Sequence, residues 1–140
     1  MKAPILLMLA TLGLSALSAV AAELEVEVGG VRSADGRMKL MLFDRAEGFR
    51  KEDKSRAVLA LPAAAGTIRG MFSDLPPGRY AIVAYHDEDG DGKLKLSFGM
   101  FPTEGYGLSN NPSVSGPPAF KDAAFDVPDE GAKLAIQLAY

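Results

Sequence analysis

Tyr80-Ala81-Ile82-Val83-Ala84-Tyr85 carries no charged or amide side chain at any position. Successive side chains of a strand point to opposite faces, so a half-buried strand alternates apolar with polar residues. A run without a polar face has to be covered on both sides, which places it in the middle of a layered sheet. The chain enters it through Pro76-Pro77-Gly78-Arg79 and leaves it through His86-Asp87-Glu88-Asp89-Gly90-Asp91-Gly92. Two prolines and a glycine at the entrance force a tight turn.

Elsewhere the pattern is also strand-like. Leu24, Val26 and Val28 alternate with Glu23, Glu25 and Glu27, a strand with a charged outer face. Gly29-Gly30 suggests a bulge. Ser33-Ala34-Asp35-Gly36 suggests a hairpin turn, with Asp-Gly supplying positive φ angles. Residues 37–44 form a second strand, central because Met38, Leu40 and Leu42 lie on one face and Met41 and Phe43 on the other. Residues 46–56 are charged except around Phe49 and suit a loop or one short helix. Strands follow over 57–61 and 67–72, the second needing a bulge at Gly70 to bring Ile68 and Met71 to one face. Residues 94–98, 123–127 and 133–140 complete the strands.

Residues 99–120 hold Gly99, Gly105, Gly107, Gly116, Pro102, Pro112, Pro117 and Pro118, and are read as irregular. Phe101, Tyr106 and Phe120 give this stretch apolar anchors, so an ordered loop packed on the domain is expected. Short strands about every ten residues between Gly/Pro turns describe an all-β fold. The expectation is an immunoglobulin-like antiparallel β-sandwich of about seven strands with one long ordered loop.

The first 22 residues carry the marks of a secretory signal. Lys2 precedes an apolar run from Ile5 to Leu17, and Ala19-Val20-Ala21 is a small-x-small cleavage site. The run is shorter than the ~20 residues a membrane span needs. An exported protein, periplasmic or extracellular, is therefore expected, with residues 23–140 as one domain and no span in the mature chain. There is no cysteine, so a packed core replaces disulfides. The formal net charge of −3 lacks the basic stripe that nucleic acid requires.

Asp87, Asp89 and Asp91 alternate, with Gly92 next, which is the front half of a calcium-loop pattern. Alternating carboxylates can converge on one hard cation, and the expected ligands for Ca²⁺ are Asp87, Asp89, Asp91 and the backbone carbonyl of Lys93. The pattern then departs from a full EF-hand loop. Counted from Asp87, the ninth position is the cationic Lys95 and the twelfth is Phe98, where a bidentate glutamate belongs. Glu104 can close the site if the long loop folds back. Such a site would bind at the ~10⁻⁴–10⁻³ M level of extracellular modules. The competing interpretation is a solvated Asp-Gly turn.

His86 is the only histidine. As a general base it would make the protein a hydrolase, with Glu104 or an aspartate as partner. The plainer expectation is a strand-end histidine bonded to backbone. The loop Glu104–Asn111 can be a glycan or peptide surface with Tyr106 as a stacking platform. Residues 99–120 can equally hold a small ligand against the sandwich, making the protein a carrier. The plainer expectation is a loop whose Asn110 and Asn111 satisfy their own backbone. Ser109 has no nucleophile-elbow context.

Three stretches resemble a known family: Leu75-Pro76-Pro77-Gly78-x-Tyr80, Tyr85-His86-Asp87-x-Asp89-x-Asp91-Gly92-Lys93-Leu94, and Glu104-Gly105-Tyr106-Gly107-Leu108-Ser109-Asn110-Asn111 with Gly116-Pro117-Pro118-x-Phe120 after it. Together they are similar to Domain of Unknown Function 2141, a family of exported bacterial proteins. The resemblance implies secretion and a β-sandwich and assigns no reaction. The Pro-Pro-Gly-Arg-Tyr turn is also similar to transthyretin-like and collagen-adhesin B-type modules. The combined expectation is an exported, non-enzymatic structural or interaction module whose partner is a protein, peptide or glycan.

Overall fold

The computed structural model describes residues 21–97 and 101–140. All but the last two residues of the expected leader, residues 1–22, lie outside the described residues. Ten strands follow in order: β1 (Ala22–Val31), β2 (Arg37–Phe43), β3 (Ala57–Pro62), β4 (Gly66–Leu75), β5 (Gly78–Asp87), β6 (Leu96–Ser97), β7 (Phe101–Pro102), β8 (Tyr106–Leu108), β9 (Phe125–Val127) and β10 (Ala132–Gln137). A single turn of helix, α1 (Phe120–Ala123), precedes β9, and a 3₁₀ turn at Glu52–Lys54 precedes β3. No helix among the described residues is long and apolar enough to cross a membrane.

Eight of the ten strands form two packed sheets, and β6 and β7 pair with each other as a separate two-stranded ribbon. One sheet has the order β10-β1-β4 and the other β3-β2-β5-β8, with β9 also paired to β5. The main core lies between them. Leu24, Val26 and Val28 of β1 meet Leu40 and Leu42 of β2, Ile82 and Ala84 of β5, Phe72 and Ile136, all essentially inaccessible to solvent. Each such side chain removed from water contributes roughly 1.5–3 kcal/mol. The alternate residues of the second sheet are covered as well. Met41, Phe43, Ala81, Val83, Tyr85 and Leu108 form a second cluster, against which Phe49 and Phe120 pack. Phe49 meets both Phe43 and Phe120 edge-on, with ring centroids 5.2 and 5.8 Å apart. The doubly apolar run 80–85 is therefore a central strand under two covers, as its composition requires.

Several local expectations are corrected. Ser33–Gly36 is not a hairpin turn: β1 and β2 belong to different sheets, and of the Asp-Gly pair only Gly36 has positive φ (66°). The edges of β1 are taken by β10 and β4, those of β2 by β3 and β5, so this largely exposed segment links one sheet to the other instead. Gly70 is in register, not bulged. It pairs with Val26, and Met71 points outward. A Cβ on Gly70 would sit 3.0–3.2 Å from Leu40, Leu59 and Leu61, so the glycine makes room for their side chains. The bulges lie at the two ends of the β1–β4 ladder, one of them across Gly29-Gly30 as expected.

The sandwich is not wholly antiparallel, because β10 runs parallel to β1. The stretch 99–120 is not wholly irregular, because Tyr106–Leu108 joins the larger sheet on β5. Gly107 allows this. Its missing Cβ would lie 2.7 Å from both the Gln137 carbonyl oxygen and Ile136 Cγ2. Residues 120–123 are helical, so the strand expected from 123 begins at Phe125.

Candidate metal centre

The last residue of β5 is Asp87, whose strand pairing carries it to the edge of the protein interior at 3 % exposure. The chain then turns sharply. Gly90 and Gly92 have φ of 72° and 78°, which an L side chain rarely adopts. Three carboxylates organise the turn by accepting amide protons from residues ahead of them. Asp87 Oδ2 accepts from Gly92 N–H (2.9 Å), Asp89 Oδ1 from Asp91 N–H (3.2 Å) and Asp91 Oδ1 from Lys93 N–H (2.8 Å). Asp87, Asp89 and Asp91 each bring one carboxylate oxygen within 4.8 Å of the others. Lys93, expected as a backbone ligand, has its amide committed to Asp91; Phe98 lies outside the described residues.

Two other elements hold the turn. Tyr85 Oη donates to the Gly92 carbonyl (2.9 Å), and Lys39 Nζ approaches that oxygen at 3.4 Å while pairing with Glu52 at 2.7 Å. Burial pushes the Tyr85 phenol above its ordinary value, with Lys39 partly offsetting it. Glu104 does fold back from the long loop, but as a backbone clamp. It is 5 % exposed, and its two oxygens accept from Glu88 N–H and Lys95 N–H, both at 3.2 Å. One carboxylate thus bridges the two ends of the acidic turn. The convergent carboxylates among the described residues are the three aspartates, without Glu104.

Lys95, noted in the sequence as a cation at the ninth loop position, has a role that the pattern alone does not give. Its ammonium pairs with Asp89 Oδ2. That hydrogen bond holds the Asp89 carboxyl below the usual carboxylate value and raises the lysine above its own. The signal for it was its place in the loop, a cation at the ninth position.

One atom is left over. Asp87 Oδ1 is buried and has no hydrogen-bond partner among the described residues. A buried polar oxygen without a partner costs free energy, more so when charged. Oxygen donors from three carboxylates suit a hard cation such as Ca²⁺, which takes six to eight of them. The residues present therefore fit a divalent cation, with Asp87 Oδ1 as the donor that no described protein group uses.

The other candidate residues have their polar groups committed. His86 is 0 % exposed, and both ring nitrogens are engaged: Nε2 with the Asp35 carbonyl (2.7 Å) and Nδ1 with Tyr140 Oη (2.8 Å). A carbonyl only accepts, so Nε2 carries a proton. Neither nitrogen faces Glu104 or an aspartate side chain. Ser109 Oγ accepts from Ile82 N–H (2.9 Å) and donates to the Ala123 carbonyl (2.5 Å). Asn110 and Asn111 do not satisfy their own backbone. Asn110 Nδ2 donates to Ala124 O (2.7 Å), while Asn111 bonds β10 twice, at Ala135 O and Gln137 N. Positive φ at both asparagines, 66° and 44°, turns these amides toward neighbouring segments. Tyr106 is half-buried against the outer core, so its ring is partly used for packing.

A shallow cleft of about 440 Å³ beside the acidic turn is lined by Arg32, Asp35, Glu88, Asp89, Lys95 and Glu104, among others. Arg32 spans its side, paired with Glu88 at 2.5 Å and stacked 4.3 Å over the Tyr140 ring.

A family model described as "Uncharacterized protein conserved in bacteria (DUF2141)" matches residues 26–135. No curated protein and no solved structure matches the chain. The likeness to transthyretin-like and collagen-adhesin modules therefore rests on the Pro-Pro-Gly turn alone.

Proposed function

The chain belongs to the DUF2141 family of uncharacterised bacterial proteins, and on that footing we propose that it is an exported, non-enzymatic β-sandwich module whose acidic turn binds Ca²⁺ through Asp87, Asp89, Asp91 and the Lys93 carbonyl. The observation that carries the metal is the buried, unpartnered Asp87 Oδ1 beside two further carboxylates. The ion is structural. It neutralises the crowded aspartates and ties the end of β5 to the segment that Glu104 clamps. The non-enzymatic reading is supported by His86, whose ring nitrogens are both engaged in bonds that hold the fold. Export is supported by the leader-like residues 1–22.

Thermal melts of the purified protein in EDTA and in Ca²⁺ test this. At a hundred times its Kd, a ligand of the folded state adds about 2.7 kcal/mol. For a domain of this size that is a rise of roughly 10 °C or more. Asp91→Asn should lose most of the rise while melting normally in EDTA. Identical melts with and without Ca²⁺ would remove the metal.

A further inference from the structure

We propose that Lys95 is a tethered competitor for the metal: its ammonium and the divalent cation contend for the same Asp89 carboxylate, and the lysine sets the Ca²⁺ affinity of the turn. The inference rests on the Ca²⁺ reading above and adds its regulation.

Three observations carry it. The Lys95 ammonium pairs with Asp89, one of the three convergent aspartates. The lysine backbone is fixed from both sides, because its N–H donates to Glu104 Oε2 (3.2 Å) and its carbonyl accepts from Thr103 N–H (2.9 Å). A charge on a pinned backbone is delivered at high effective concentration, so it competes better than a free monovalent ion. Asp87 Oδ1 remains without a partner among the described residues, so the lysine neutralises Asp89 without serving the buried oxygen. A monovalent ammonium can thus relieve the exposed part of the cluster, whereas a divalent ion on all three carboxylates would also satisfy the buried part.

Binding Ca²⁺ then requires Lys95 to leave Asp89. Its side chain, already half exposed in the ion pair, is free to turn its ammonium to solvent. The two states differ in which cation holds the turn, and Ca²⁺ concentration selects between them.

Calorimetric Ca²⁺ titration of the wild type, Lys95→Gln and Lys95→Arg tests this. Removing one positive charge next to a divalent ion should tighten binding about tenfold at low salt, less as salt rises. Lys95→Arg keeps the charge and should bind within about twofold of the wild type. In EDTA, Lys95→Gln should melt below the wild type, and Ca²⁺ should reverse the order. Wild type and Lys95→Gln binding Ca²⁺ equally would overturn the role of the lysine and leave the metal site standing. No binding by any of the three proteins, each folded by circular dichroism, would overturn the metal site and the lysine's role with it.

Discussion

The segment that leads into β8, from Asp87 at the end of β5 to Gly105, and the one that follows it, from Ser109 to Ala119, are both rich in glycine, proline and short polar side chains. Their polar groups go to different places. After β8, Ser109, Asn110 and Asn111 reach the backbone of β5, of residues 123–124 and of β10. Ser109 fills a gap in the ladder of β5, since Ile82 lies between the residues paired to β8 and those paired to β9. Before β8, the carboxylates of Asp87, Asp89 and Asp91 hold their own turn with one oxygen each, and Asp87 keeps a second oxygen buried without a partner. A polar group bonded to the backbone of another strand is fold. A buried one left over is available to something that is not protein.

The comparison breaks most readily at Ser109. Ser109→Ala leaves the buried Ile82 N–H and Ala123 carbonyl without their side-chain partner, and should cost about 2–4 kcal/mol. Urea melts should give the same loss in EDTA and in Ca²⁺, because the residue serves the sheet and not the ion. A loss that disappears in Ca²⁺ would join the two loops into one unit. Asp87→Asn sharpens the contrast through a change of sign. In EDTA it removes a buried negative charge crowded by two further carboxylates and should stabilise by about 1–3 kcal/mol. In saturating Ca²⁺ it removes a ligand, so the same substitution should lower the melting point below that of the wild type. A uniform destabilisation in both buffers would make Asp87 a fold residue like Ser109.

The smallest effect is expected at Asp44, a carboxylate paired with exposed arginines and remote from both loops. Arg45, at 3.0 Å, and then Arg56, at 3.2 Å, hold it below its ordinary value of 3.8. A carboxylate depressed in the folded state stabilises above its unfolded pKa, and that contribution is lost as the pH falls through the folded value. Asp44→Asn should therefore differ from the wild type by under about 1 kcal/mol at neutral pH. Acid melts of the two proteins should converge only as the pH falls well below 3.8, through the depressed folded value.

The contrast also marks how far residues alone can be read. The strand 80–85 and the alternating Leu24, Val26 and Val28 announce their burial, because strand periodicity is local. The acidic turn is equally legible, since its three aspartates and two glycines lie within six residues. Tyr106-Gly107-Leu108 is not legible as a strand. Its central glycine signals irregularity until Gln137 and Ile136 are seen pressed against the space a Cβ would fill. The Asp-Gly at 35–36 has the chemistry of a hairpin, yet the flanking strands prefer other partners. Lys95 and Glu104 are visible as charges, but the pairing of Lys95 depends on how the turn closes, and the clamp of Glu104 on a loop folding back across sixteen residues.

The amino-acid sequence by itself determined an all-β chain, the double covering of its central strand, the candidate carboxylates and their departure from a complete calcium loop. These follow from side-chain periodicity and from spacings of a few residues, which the backbone enforces wherever the segment lies. Only the tertiary structure decided which strands pair, that β10 runs parallel to β1, that Glu104 clamps two amides, and that Lys95 sits on Asp89. The first three depend on contacts between distant segments, whose energies are settled by packing and by which polar groups find a partner, and the last on how the acidic turn closes.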